Sequence, residues 1–159
     1  MEIRNVTAAD AGRLSEMFSR LSERDITSTR DDPRDWVPID RLGSDADFRW
    51  VAVDDDRVVG WAILNRLSGW SDHVGELRLV VDPGARRTGV GRALAQEAVR
   101  AGFADGLRKL IIELSDDQDP VVEMFIDLGF TGEARLRQHI RDGDGTLHDL
   151  IVLARHTQS

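Results

Sequence analysis

Cysteine is absent from the 159 residues, and so is tyrosine. The first absence excludes disulfide staples, thiolate zinc sites and cysteine nucleophiles. The second removes the phenol as a catalytic proton donor. Lysine is nearly absent too: Lys109 stands alone, so twenty of the 21 basic residues are arginine, a skew that reads as genomic bias. No stretch approaches the roughly 18 apolar residues of a membrane span, and charge begins at Glu2, so neither a span nor a secretory signal is expected. Positive charge is in deficit. A formal net charge of -8 argues against a nucleic-acid partner, whose footprint is usually basic. What is present is the balance of an ordinary globule, 41% hydrophobic and 31% charged. The length suits one domain over residues 1–159, with the cytoplasm as its expected location.

Periodicity lays out the elements. Glu2 to Val6 alternates as a first strand. Leu14, Met17, Phe18 and Leu21 fall at helical spacing, which predicts a helix to about Ser22. Arg24 to Asp47 is polar, carries Pro33 and Pro38, and reads as a short helix plus loop. Phe48–Val53 and Val58–Leu64 flank Asp54–Arg57 as a hairpin, with Gly60 as its expected bulge. Val74–Val81 is a strand. Gly89–Phe103 is a helix stopped by Gly106, and Leu110–Leu114 is a buried strand. Asp119 is the expected N-cap of a helix with Pro120 at its first position and Gly129 at its end. Glu133–Arg141 and Leu147–Ala154 form a second hairpin around Asp142–Gly145. Hairpins and strand-helix-strand crossovers thus share one mixed sheet in an α/β fold.

The most informative stretch is Val81-Asp82-Pro83-Gly84-Ala85-Arg86-Arg87-Thr88-Gly89-Val90-Gly91-Arg92. A strand ends, a loop with two arginines follows, and glycines open a helix. Free N–H groups at such a helix start, with arginines around them, make an anion site suited to a diphosphate. A Walker A motif fails here because Val90-Gly91 stands where Lys-Ser/Thr is required. A dinucleotide fingerprint fails at Leu94, which replaces its third glycine.

Val81-x-Pro83 followed by Arg86-x-x-Gly89-x-Gly91 resembles motif A of the GCN5-related N-acetyltransferase (GNAT) superfamily. Phe125-Ile126-Asp127-Leu128-Gly129-Phe130 is similar to its motif B. The resemblance runs from about Asp47 to Arg155. It implies a GNAT fold: a central mixed sheet of about seven strands, flanking helices, and a splay between the two central parallel strands. It also implies acetyl-CoA as co-substrate and no metal. Leu79, Val80 and Val81 would meet the pantetheine through backbone, while Arg86, Arg87, Thr88, Gly89, Val90, Gly91 and Arg92 would surround the diphosphate. Gln118, or Asp116 or Asp117, would stand for the motif B asparagine. Phe125 occupies the position where the family often has a tyrosine that protonates the leaving thiolate. A phenyl ring cannot donate that proton, and Phe125 is expected to pack against the cofactor.

The implied reaction moves an acetyl group directly to a primary amine through a tetrahedral intermediate, with a general base. Glu76 is the first candidate base and Glu113 the second; His73 and His139 are weaker ones. The acceptor, a small molecule or a peptide amine, would be chosen by about Leu21–Leu42 and Arg135–His148. The first of these segments holds Asp25, Asp31, Asp32, Asp35 and Asp40, which suit a cationic amine or merely a solvated loop. Trp36, Trp50, Trp61 and Trp70 divide between pocket and core, with at least two in the core. The alternatives are an acyl-CoA-binding sensor without transfer activity and an enzyme acting on protein lysines or N-termini. A homodimer is compatible with the chain.

Overall fold

The computed structural model describes residues 1–43 and 48–157, so the part of the predicted loop at 44–47 lies outside the described residues. Seven strands make one sheet in the order β1-β2-β3-β4-β5-β7-β6. They are β1 (Glu2–Asn5), β2 (Arg49–Asp54), β3 (Arg57–Arg66), β4 (Val74–Val81), β5 (Lys109–Ser115), β6 (Thr131–Arg141) and β7 (Leu147–His156). Only β4 and β5 run parallel; every other neighbouring pair is antiparallel. The helices are α1 (Ala11–Ser19), α2 (Glu23–Ser28), α3 (Val90–Ala104) and α4 (Asp119–Asp127). The mixed sheet, its flanking helices and the parallel central pair are those expected of the sequence.

β3 is buried from Val58 to Leu64 because helices cover the sheet on both faces. One core gathers Leu77, Leu94, Ala98, Leu110, Ile112, Phe125 and Phe130 around α3 and α4. The other gathers Leu14, Met17, Val51, Trp61, Ile63 and Val80 beneath α1. Trp50 and Trp61 thus belong to the core, whereas Trp70 is wholly exposed.

Three local expectations are corrected. The first helix stops at Ser19 and not near Ser22, because Ser22 caps the next one: its hydroxyl accepts from the Asp25 N–H at 3.1 Å while Asp25 accepts from the Ser22 N–H at 2.8 Å. The polar segment after it is α2 followed by short 3-10 turns at Pro33–Asp35 and Ile39–Arg41. The bulge expected at Gly60 belongs to Val59: Ala52 pairs with Gly60 and Val53 with Val58, so Val59 is the extra residue. Gly60 has a different reason to be glycine. A Cβ there would come 2.6 Å from Leu94 Cδ1 and 2.9 Å from Val90 Cγ1, so its bare backbone is what lets α3 settle on the sheet. In α4 the cap is Gln118, whose carbonyl accepts from the Val121 and Val122 N–H groups. Asp119 therefore falls inside the first turn, and its carboxylate still faces the positive end of the helix.

Candidate active site

β4 and β5 pair only from Val74–Lys109 to Leu77–Ile112. Beyond that point β4 continues against β3 as far as Val81, and β5 continues against β7 as far as Ser115. The facing edges of Arg78–Val81 and Glu113–Ser115 are left without a partner strand, which is the expected splay. A cavity of about 570 Å³ opens from this gap toward the loop before α3. Leu79, Val80 and Val81 line it from β4, as do Arg86, Arg87, Gly89, Gly91 and Arg92 from the loop, and Gln118 from the start of α4.

The loop is built to present amides. Asp82 accepts from the Gly84 N–H at 3.0 Å and is clamped by Arg20, fixing where β4 ends. The Thr88 hydroxyl donates back to the Ala85 carbonyl. Arg87 (φ 63) and Gly89 (φ 88) both take left-handed backbone, turning the chain sharply into α3. Glycine adopts that conformation without the cost a side chain incurs, and nothing lies within 4 Å of where a Gly89 Cβ would sit. The first intrahelical bond of α3 runs from Ala93 to Gly89, so the Val90, Gly91 and Arg92 N–H groups have no helical acceptor. Among the described residues Arg87 has no carboxylate partner, whereas Arg86 pairs with Asp25 at 2.6 Å and Arg92 with Asp127 at 3.4 Å.

Three of the nominated cofactor residues stand off the cavity wall. Val90 is buried in the core under α3. The Thr88 side chain is tied within its own loop. Phe125 is fully buried and meets Phe130 edge-on, with ring centroids 5.1 Å apart. It is Met124, one residue earlier, that reaches the cavity. Asp116 and Asp117 lie beyond the end of β5, where Asp117 accepts from Ser115 Oγ at 2.6 Å and is paired with Arg24.

Glu76 and Glu113 lie on the opposite face of the sheet, the one that α1 and α2 cover. Neither stands alone. Arg78 holds Glu76 Oε1 through Nε at 2.9 Å and Nη2 at 2.8 Å, and also pairs with Asp31. Arg30, itself in left-handed backbone (φ 70), pairs with Glu113. Beside them a second cavity of about 370 Å³ is walled by Asp31, Asp32, Asp35, Trp36, Asn65 and Arg78. Trp36 is thus the one tryptophan that lines either cavity. His73 and His139 are exposed and line neither cavity.

α2 and the turn after it bring further residues to the cavities: Asp25 and Asp31 belong to the acidic set expected of Leu21–Leu42, whereas Arg24, Ser28, Thr29 and Arg30 were not singled out from the sequence. Arg24, Asp25, Ser28 and Thr29 line the larger cavity, Arg30 pairs with Glu113, and Asp31 pairs with Arg78, the partner of Glu76. The one signal available beforehand was the Ser22-x-x-Asp25 box, which marks a helix start but not its neighbours. Burial alone would raise the Asp25 carboxyl, yet the Ser22 N–H and the Arg86 guanidinium hold it below its ordinary range.

Residues 15–130 match the family described as the acetyltransferase (GNAT) family. A mycothiol acetyltransferase from Mycolicibacterium smegmatis is 43% identical over 61 residues, which are 38% of this chain and 20% of that protein. The match therefore spans a fifth of that relative's length. A Salmonella typhimurium structure solved with its cofactor acetyl-CoA superposes with a TM-score of 0.83 at 18% identity, covering 99% of this chain and 94% of the other. A Sinorhizobium meliloti phosphinothricin acetyltransferase in complex with acetyl-CoA gives 0.82 at 21% identity, covering 98% and 87%. These two establish likeness of fold, and no described helix is long and apolar enough to cross a membrane. Matched over most of its length and built on the same splayed sheet, the chain belongs to the acetyltransferase (GNAT) family.

Proposed function

We propose that the protein moves an acetyl group from acetyl-CoA to a primary amine, and that residues 1–159 act as one catalytic domain. The observation that carries this reading is the cavity between the splayed strands and the α3 loop. Its two ends suit the two ends of such a donor. Leu79, Val81, Leu114 and Met124 give an apolar wall with a free strand edge, which suits a pantetheine arm that offers both methylenes and amides. The amides of Val90, Gly91 and Arg92, with Arg86, Arg87 and Arg92 around them, suit a diphosphate. Two related folds were solved with acetyl-CoA, which supports the same assignment.

The acceptor amine would enter from the face that carries Glu76 and Glu113. An ammonium must lose a proton before it can attack, and a carboxylate beside the gap is the group to take it, directly or through water. Each glutamate is positioned by an arginine partner, Glu76 by Arg78 and Glu113 by Arg30. Glu76 is the first choice, because its strand leads into the cofactor loop. Phe125 supplies no proton and does not reach the cavity, so the departing thiolate would leave as the anion or take a proton from water. Direct transfer suits a chain without cysteine.

Thiol release from acetyl-CoA, followed against a panel of small amines, amino sugars and peptides, tests the proposal. Turnover with at least one amine is expected. Coenzyme binding without thiol release from any acceptor would favour the sensor reading instead.

A further inference from the structure

Asp25 is the one acidic side chain among the described residues that line the cofactor cavity, whose wall also holds Arg24, Arg86, Arg87 and Arg92. It is placed there by design of the local fold. Its Oδ2 accepts the Ser22 N–H at 2.8 Å, which fixes the carboxylate at the start of α2, and its Oδ1 receives Arg86 Nη2 at 2.6 Å. The side chain is only 12% exposed. A carboxylate thus occupies the guanidinium of the loop that a diphosphate would otherwise engage, inside a cleft meant for an anion.

We propose that Asp25 is a built-in competitor for the diphosphate of the donor: acetyl-CoA binding exchanges the Asp25 carboxylate for phosphate oxygens on Arg86. This inference rests on the reading of the cavity given under Proposed function. The exchange leaves the charge count at Arg86 balanced, while the displaced carboxylate turns to solvent and keeps its bond to the Ser22 N–H. It also loosens a segment that charge holds in place. α2 buries none of its residues. Its other ties include ion pairs from Arg24 to Asp117 and Asp142 and, from the following turn, from Arg30 to Glu113 and Asp31 to Arg78. Those last two end on the candidate bases or their partner. The donor and acceptor sides of the site are therefore joined through one short, charge-tethered helix, and Asp25 is the tether that the donor competes away.

Calorimetric titration with coenzyme A tests this on the whole protein. Asp25→Asn keeps an oxygen for the Ser22 N–H and removes the charge from Arg86. A partly exposed ion pair is worth up to about 1 kcal/mol, so the variant is expected to bind coenzyme A about fivefold more tightly than the parent. The same substitution placed on Arg86→Gln should change affinity little. Binding by Asp25→Asn that is equal to or weaker than the parent's, with an unchanged melting temperature, would overturn the inference. Should that variant melt early, Asp25→Ser offers the cap in another form and is read in the same way. No binding by the parent would instead overturn the reading of the cavity, and this inference with it.

Discussion

Arg20 Nε donates to Asp82 Oδ2 at 2.7 Å, joining the end of α1 to the residue where β4 gives way to the loop before α3. The carboxylate is almost fully buried, and its other oxygen accepts the Gly84 N–H at 3.0 Å. Removing Arg20 leaves the buried Asp82 charge without its cation. Arg20→Met is therefore expected to cost about 3 kcal/mol of stability, the low end for a broken buried pair. It should also weaken coenzyme A binding, because the loop loses its anchor. Urea denaturation and calorimetry on the same preparation check both effects; a variant with parental stability would contradict the role given to this pair.

The two glutamates separate by kinetics. Glu76→Gln is expected to lower kcat by about a hundredfold or more while leaving coenzyme A affinity near the parent's, since general-base contributions fall in that range. Glu113→Gln should lower it less. A larger loss from Glu113→Gln would transfer the role to β5. Parental rates in both variants would assign the proton to water.

Stability should fall in acid for a traceable reason. Asp10 is fully buried and takes two bonds from Arg4, each 2.8 Å. Arg4, aided by the Thr7 N–H against the penalty of burial, holds its carboxyl below the ordinary 3.8. A carboxyl depressed in the folded state is protonated first in the unfolded chain. Its stabilisation is therefore complete above pH 3.8 and is lost as pH drops through the lower folded value. Asp10→Asn should be less stable than the parent at pH 7 and show a shallower further loss between about pH 4 and pH 2. Chemical denaturation across that range is the measurement; parallel curves would contradict the assignment.

Gly60 predicts a packing defect. An added methyl at 2.6 Å from Leu94 Cδ1 forces α3 or its side chains to shift. Gly60→Ala is expected to cost about 1–3 kcal/mol, the range for overpacking a core. A stabilised variant would show that α3 has slack. The measurement is a thermal melt.

Much of the fold was legible because its signals are local. The Asp54–Arg57 turn between apolar runs gave the first hairpin, and the structure places Asp55 (φ 48) and Asp56 (φ 64) in the left-handed pair such a turn needs. Val81-x-Pro83 and the Gly89–Gly91 pair marked the turn from β4 into α3 that walls the larger cavity. Illegible were features that depend on what folds back over them. Nothing around Phe125 announces that it points into the core and Met124 into the cavity; that is decided by the rotation of α4. Asp25 and Asp31 suited either a cationic amine or a solvated loop, Arg24 and Arg30 carried no signal, and only the tertiary fold brings the four to Arg86, Arg78, Asp117 and Glu113. Gly60 looked like a bulge because strand glycines often are; its reason lies thirty-odd residues away, in Leu94.

The central claim is that the amides opening α3, with the arginines around them, anchor the donor by its diphosphate. Titration of the protein with acetyl-CoA and with S-acetylpantetheine, which shares the thioester arm but has no diphosphate, measures that directly. Tight binding of the first is expected, with binding of the second at least tenfold weaker, about 1.4 kcal/mol, and no binding of acetyl-CoA by Gly89→Glu. Equal affinity for the two ligands, or parental affinity in Gly89→Glu, would contradict it.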